Sequence, residues 1–149
     1  MIKFTIPLKP ITKKNSQRIA VNNTTGKPFI MPSEKYKQYE REAGWFVPKN
    51  IFIDKPVNVK CLFYMPTRNK CDLTNLLEAI DDILVKYGVL ADDNYTIIES
   101  HDGSRVYYDK NNPRTEIYIE GEGAEMARQW TKSNPHLQKY ETRKTKWEV

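Results

Sequence analysis

Six carboxylates are concentrated in one short stretch of the sequence, KCDLTNLLEAIDDILVKYGVLADDN, which runs from residue 70 to residue 94. Clustered carboxylates repel one another, and a hard divalent cation such as Mg²⁺ is the usual reason for a protein to keep them ionised and close together. The pattern therefore raises the hypothesis of an oxygen-ligated metal site. The six residues are Asp72, Glu78, Asp81, Asp82, Asp92 and Asp93.

Charge is distributed unevenly along the chain, which has 149 residues and a formal net charge of +5. Residues 1–71 carry 14 Lys and Arg against 4 Asp and Glu, whereas residues 72–101 carry 7 acidic residues against a single lysine. A basic surface attracts polyanions such as nucleic acids without regard to their sequence. A compact acidic site within a basic protein indicates a protein that holds a cation while it contacts phosphates.

Length and composition favour a single globular domain with an ordinary core. No apolar run approaches the ~20 residues that a membrane span requires, and the N-terminus lacks the pattern of a signal peptide. We therefore expect a cytoplasmic protein without membrane association. Cys61 and Cys71 have no metal-ligand spacing, which favours reduced thiols rather than a disulfide or a zinc site.

The acidic stretch has the strongest helical pattern in the sequence. Its leucines and isoleucines, from Leu73 onward, fall within an arc of about 120° on a helical wheel. Asp72 stands at the N-cap position, and Gly88 stands where a left-handed residue ends a helix. On the polar side, Asn75, Glu78 and Asp82 follow one another at spacings of three and four residues, so that they can point in the same direction.

Alternating apolar residues elsewhere in the chain predict strands, and two further segments predict helices. Ser33 is the expected cap of a helix that ends before Pro48, and a short helix can form after residue 120. The Asp102-Gly103 pair is compatible with a tight hairpin or with a bulge inside one long strand. This order indicates an α+β fold in which two helices pack on a small mixed β-sheet. The predicted extended segments are residues 2–8, 19–21, 28–31, 57–65, 95–100, 105–108 and 114–120.

Each acidic residue also has an ordinary structural explanation. Asp72 could act only as an N-cap, worth ~1 kcal/mol, and residues 92–94 could form an ordinary turn. Asp81 is expected to lie on the solvated face of the helix. A helix of about 15 residues is ~22 Å long, so the short loop after it would barely return Asp93 to Asp72. The two histidines, His101 and His136, lie in no catalytic pattern, and we expect them to be structural or exposed.

The stretch from residue 71 to residue 94 resembles the signature of the RusA-like Holliday junction resolvases. In that family Asp-Leu-Asp-Asn-Leu opens a helix, and Gly-x-x-x-Asp-Asp follows it. The N-terminal FTIPLKPITKKNSQRI is similar to the opening strand and the Asn-containing loop of the family. The resemblance implies a RusA-like endonuclease domain over residues 1–120, followed by a polar and partly helical C-terminal extension over residues 121–149.

The resemblance also implies a function. Members are homodimeric endodeoxyribonucleases, often of phage or prophage origin, that use Mg²⁺ to resolve four-way DNA junctions by symmetric paired cuts in recombination and repair. Mn²⁺ is an alternative metal. By position, Asp72, Asp93, Asp92 and Glu78 are the candidate catalytic residues, and Asp72, Asp93 and Glu78 are the candidate metal ligands. The residues expected to contact DNA are Lys13, Lys14, Asn15, Arg18, Arg68, Lys70 and Asn75.

Two residues depart from the family's motif. Thr74 stands where the family usually has a second catalytic Asp, and Glu78 stands where it often has a Lys. Glu78 could replace the missing ligand from one turn further along the helix. Alternatively, the metal site is attenuated, and the protein is a structure-specific DNA-binding protein that does not cut. A metal-dependent hydrolase of small nucleotides is a third hypothesis.

Overall fold

A five-stranded mixed sheet and three helices form the body of the protein, and a separate two-stranded hairpin accompanies them, in the part of the chain that the structure describes. This computed structural model describes residues 1–13 and 17–133, without the side chains of residues 17, 18 and 128–133. The elements are β1 (Ile2–Ile6), β2 (Gln17–Val21), β3 (Pro28–Pro32), α1 (Glu34–Ala43), β4 (Val57–Met65), α2 (Leu73–Lys86), β5 (Ile98–Ser100), β6 (Arg105–Tyr108), β7 (Arg114–Glu120) and α3 (Glu122–Ser133).

The sheet is centred on β4 and β7, which are antiparallel to each other. β1 extends the sheet beyond β7, again antiparallel, while β5 and β6 both run parallel to β4 along its other edge. A parallel pair needs a crossover connection, and α2 supplies it between β4 and β5. The acidic helix therefore lies against the sheet and is followed by the loop that carries Asp92 and Asp93. The α+β prediction is confirmed.

One face of the sheet forms the core with the helices, and the other face is polar. Along β4 every second side chain from Val57 to Phe63 is buried, and β7 repeats this alternation with Ile117 and Ile119. These residues belong to one hydrophobic cluster with the apolar sides of α1, α2 and α3. The opposite face carries tyrosines and charged groups, such as Tyr64, over which the Arg114 guanidinium stacks.

The expectation of two packing helices was wrong, because α3 also reaches the core. Ala124 and Ala127 on α3 are buried, which places the start of the predicted C-terminal extension against the sheet. Small side chains at these two positions allow the close approach. Because this segment is polar in composition, its sequence did not predict that α3 packs against the sheet.

The edge strand beside β4 is interrupted at Asp102-Gly103, and β5 and β6 do not pair with each other as a hairpin would. Instead, both follow β4 in the same direction. The Asn58 side chain bonds the backbone N–H and carbonyl of Asp102, at 2.7 and 3.1 Å. The interruption therefore resembles the predicted bulge, and the hairpin alternative was wrong.

The helix limits follow from local chemistry. The Ser33 hydroxyl caps α1 by accepting from the Tyr36 N–H at 3.2 Å, as expected. The helix ends at Ala43, and the next residue, Gly44, lies so close to the ring of Tyr87 that any side chain there would collide with it. Gly88 has a φ of +77°, which confirms the predicted left-handed residue after α2.

The segments predicted at residues 19–21 and 28–31 pair as an antiparallel hairpin, β2–β3, that forms a sheet of its own. The predicted strand at residues 95–100 is shorter, since residues 95–97 form a turn before β5. Cys61 and Cys71 are free thiols, as expected. Among the helices of the described chain, none has the length and apolar character needed to cross a membrane.

Candidate active site

The Asp72 carboxylate is not used to cap α2, although Asp72 is the N-cap residue of that helix. Its backbone is extended, with φ −90° and ψ 124°, and its carbonyl accepts from the N–H groups of Asn75 and Leu76. The side chain makes no capping hydrogen bond. The purely structural explanation for an aspartate at this position therefore fails, and an exposed carboxylate remains at the positively polarised start of a helix.

Asn75 orients that carboxylate. Its side-chain amide, which is buried, donates to Oδ2 of Asp72 at 3.2 Å. A buried donor has few other conformations, so the contact restricts the rotation of the Asp72 side chain. Asn75 was predicted to contact DNA, whereas in the structure its observed contact is with Asp72.

The loop after α2 carries Asp93, whose charge acts on two carboxylates of the helix. Burial is the largest cause of the raised pKa values of Asp81 and Asp82, and the negative charges of Asp93 and Glu78 add to both increases. Asp93 is therefore near enough to influence the charges of α2, and we call the side of α2 that carries Glu78, Asp81 and Asp82 the acidic face. Asp72 is six residues before Glu78, about 9 Å along the helix axis, so it lies at the other end of the first turns of α2.

Asp92 and Asp93 have different roles in this loop. The two carboxylate oxygens of Asp92 accept from the Asp93 N–H at 2.7 Å and from the Asn94 amide at 3.0 Å, which lowers the pKa of Asp92. Asp92 therefore stabilises the turn. The Asp93 carboxylate accepts no hydrogen bond from any described side chain, so it remains available to a cation.

His101 holds Asp81, an interaction that sequence reasoning missed. The Nε2 atom of His101 lies 2.9 Å from Oδ2 of Asp81, and its Nδ1 atom lies 2.7 Å from the carbonyl oxygen of Val59. The Asp81 side chain is only 14% exposed, so the expectation that it is solvated was wrong. The one available signal was its place on the helical wheel, about 40° from the edge of the apolar arc.

His101 and Asp81 share a single proton, which lies between Nε2 and the carboxylate. A carbonyl oxygen only accepts, so Nδ1 of His101 carries a hydrogen and donates it to Val59. The bond to Asp81 then needs one more proton, located on Nε2 or on the carboxyl. Burial alone lowers the pKa of His101, but the hydrogen bond and charge of Asp81 outweigh burial and raise it. His101 was expected to be structural or exposed, and its hydrogen bonds fit the structural alternative.

The oxygen donors of the acidic face fit a hard divalent cation. Oδ1 of Asp81 is buried without a hydrogen-bond donor among the described residues, so the face has more acceptors than donors. No three His, Cys, Asp or Glu side chains in residues 1–13 and 17–133 are grouped so that they could hold a metal ion. Mg²⁺ usually binds through one or two carboxylates and completes its shell with water and substrate phosphate. A site at which the protein supplies only one or two carboxylate ligands is therefore compatible with Mg²⁺.

One lysine contacts the acidic face, and two further cations precede α2 along the chain. The Nζ atom of Lys13 is 3.9 Å from Oδ2 of Asp82. The Arg68 guanidinium stacks on the ring of Tyr108, 4.2 Å from its centroid, and both residues are exposed. Lys70, between Arg68 and Asp72, is also exposed. Lys14, Asn15 and the side chain of Arg18 lie outside the described residues.

A cleft of about 480 Å³ adjoins Lys13. We call it the basic cleft, because four cations and one carboxylate line it. Lys86, at the end of α2, donates to Glu40 there. The charged residues of the basic cleft are Lys13, Lys37, Arg41, Lys86 and Glu40, and Pro32 at the end of β3 also lines it.

Comparison with known proteins adds an independent finding. Residues 7–120 match the family described as Endodeoxyribonuclease RusA. The matched region contains α1, α2 and every carboxylate of the acidic stretch. No curated protein matches the chain.

Proposed function

The chain belongs to the RusA family of Holliday junction endonucleases, and from this premise we propose that it resolves four-way DNA junctions with Mg²⁺, through symmetric paired cuts by a homodimer. The family is metal-dependent and acts on branched DNA. The observation that best supports an active site is the Asp72 carboxylate, which α2 does not use as a cap and which Asn75 orients.

Asp72 and Asp93 are the residues that we propose would hold the metal, with Glu78 as a further carboxylate on α2, although these three side chains do not form one cluster in this structure. Bound Mg²⁺ would polarise the scissile phosphate and lower the pKa of the attacking water. Asp92 acts indirectly, because its oxygens are engaged in the turn that positions Asp93.

The remaining residues act on the DNA and on the carboxylates. The Arg68 guanidinium lies over the ring of Tyr108, and we propose that its N–H groups donate to a phosphate. Lys13 partly neutralises Asp82 and can exchange that carboxylate for a phosphate when DNA approaches. His101 fixes Asp81 against β4, so the acidic face of α2 keeps its orientation relative to the sheet.

Two cuts at symmetric positions need two symmetric sites. A C₂ homodimer provides them, because each protomer presents the same surface to one strand of a junction that is itself nearly two-fold symmetric. We therefore propose a dimer as the active form.

Cleavage of a synthetic four-way junction tests this function. The full chain should cut the junction into two nicked duplexes with Mg²⁺, leave it intact with a chelator, and leave a linear duplex of the same arm sequence uncut. Two strands labelled separately should be cut at symmetry-related positions. An intact junction at every Mg²⁺ and Mn²⁺ concentration, together with junction binding, would overturn the proposal.

That contrary outcome corresponds to a second candidate, a protein that binds branched DNA without cutting it. The observation in its favour is Thr74, which replaces a carboxylate near the start of α2. Its binding would be salt-sensitive and independent of the metal.

A further inference from the structure

The β2–β3 hairpin exposes large apolar side chains. Ile19 is 77% exposed, Ile30 is 67% exposed and Val21 is 59% exposed. Most exposed positions in the protein carry polar groups, so three exposed β-branched side chains in one short hairpin need an explanation.

These three side chains share one face of the hairpin. Ile19 pairs directly with Ile30, and Val21 pairs with Pro28, so all four residues project to the same side. On the other side, Ala20 and Met31 are half-buried, and Phe29, which pairs with Ala20, is 45% exposed and so less exposed than Ile19, Val21 and Ile30. The side that bears Ile19 and Ile30 is therefore directed away from the body, and we call it the apolar face.

A two-stranded hairpin is only marginally stable by itself in water. An exposed apolar cluster on such an element is typical of a surface that another molecule covers. The question is therefore which molecule covers the apolar face.

Charge favours DNA over a second copy of the chain. Residues 1–33 contain six Lys and Arg and no Asp or Glu, and Arg18 and Lys27 belong to the hairpin segment itself. Packing two hairpins face to face would bring like charges together, whereas a DNA backbone would neutralise them.

The hairpin is also rooted beside the acidic face. Pro32, the last residue of β3, lines the basic cleft together with Lys13, and Lys13 lies 3.9 Å from Asp82. Strands of five residues are about 16 Å long, so DNA bound at the acidic face passes within reach of the hairpin.

We propose that the hairpin is a wedge that packs the apolar face against unstacked bases at the branch point of the junction. This inference rests on the proposed function, because it assumes a branched DNA substrate. Apolar side chains inserted between base steps unstack them at an energetic cost. That cost is smallest where stacking is already interrupted, so the hairpin would favour a branch point over a continuous duplex.

The test uses the full chain with Ile19→Thr and Ile30→Thr combined. Threonine retains the β-branch and the strand propensity, so the variant removes apolarity with little effect on the hairpin backbone. Met126→Gln is the matched control, because Met126 is an exposed apolar residue on α3, outside the hairpin. Val21→Thr is a milder second variant, should the double variant have a lower melting temperature.

Two measurements are made in Ca²⁺ without Mg²⁺. The first is the affinity for a four-way junction and for a linear duplex, and the second is the fluorescence of 2-aminopurine placed at the branch point. The wild type and the Met126→Gln control should raise the fluorescence. The double variant should lose most of that increase and about tenfold of its junction affinity, equivalent to ~1.4 kcal/mol, with duplex affinity nearly unchanged.

The outcomes separate this inference from the proposed function. Wild-type fluorescence and affinity in the double variant would overturn the wedge even if the protein cuts junctions. Conversion of a wild-type dimer into a monomer by the double variant would also overturn it, and would assign the apolar face to self-association. A wild type that raises the fluorescence but never cuts would support the wedge and refute the proposed cutting.

Discussion

Nε2 of His101 lies 2.9 Å from Oδ2 of Asp81, and this contact joins the acidic helix to the edge of the sheet. The other ring nitrogen donates to the carbonyl of Val59 on β4. One imidazole therefore bridges α2 and β4 at the place where the acidic loop returns. The arrangement links the stability of the fold to pH through a residue outside the predicted ligand set.

The free energy of unfolding should fall as pH rises from 5.5 to 8.5. The pKa of His101 is raised in the folded state, since its hydrogen bond to Asp81 outweighs burial. The folded state therefore holds the proton more tightly than the unfolded state, whose pKa is about 6.5. The stabilisation is complete below that pH and is lost as pH rises through the folded-state pKa. Urea unfolding at several pH values should show a smaller slope for His101→Gln, and parallel wild-type and variant profiles would contradict the assignment.

Substituting the two proposed ligands should separate binding from cutting. Asp72→Asn and Asp93→Asn remove a charge with little change in shape, so junction cleavage should fall by at least about 100-fold while junction binding persists. Asp92→Asn is the control, because its oxygens hold the turn. Asp92→Asn should lower the melting temperature of the protein. It should leave the Mg²⁺ concentration required for half-maximal rate nearly unchanged. Equal cleavage by Asp72→Asn and wild type would show that the site lies elsewhere.

Much of the fold could be predicted from the sequence, because α2, β4 and β7 have strong local patterns. The spacing of apolar residues identified α2, and Ser33 identified the start of α1. The polar sequence of α3 gave no comparable signal, since Ala124 and Ala127 are the side chains that reach the core among those described in this helix. The environment of Asp81 was also unpredictable, because its partner His101 is 20 residues away and becomes a neighbour only through the parallel crossover.

Asn75 should be a positioning residue for Asp72. In Asn75→Ala, the Asp72 carboxylate loses its donor at 3.2 Å and gains rotational freedom. The cleavage rate at limiting Mg²⁺ should fall by about 10- to 100-fold, as for other groups that orient metal ligands. Higher Mg²⁺ should restore part of the rate, which a role confined to folding would not produce. The rate of Asn75→Ala as a function of Mg²⁺ is the measurement, with the melting temperature as the check on folding.

Arg68 should contact a phosphate, and Tyr108 should hold it in place. Arg68→Ala should reduce the slope of log affinity against log salt concentration by about 1. Tyr108→Leu removes the ring that lies 4.2 Å from the guanidinium and should weaken junction binding by a smaller factor. Tyr108→Phe retains the ring and should bind as the wild type does. Identical affinities for the Leu and Phe variants would show that the stacking is unimportant for DNA binding.

A carboxylate at position 74 should be able to replace the carboxylate at position 78. Thr74 and Glu78 are exposed and lie four residues apart on α2, on the same face and about 6 Å apart along the axis. If Glu78 supplies the charge that Thr74 lacks, Glu78→Gln should raise the Mg²⁺ requirement about tenfold or more. Thr74→Asp alone should lower that requirement, and Thr74→Asp combined with Glu78→Gln should recover activity close to that of the wild type.

If the double variant remains as weak as Glu78→Gln alone, the two positions do not serve the same metal. Junction cleavage rates for the four proteins across a Mg²⁺ titration decide between these outcomes.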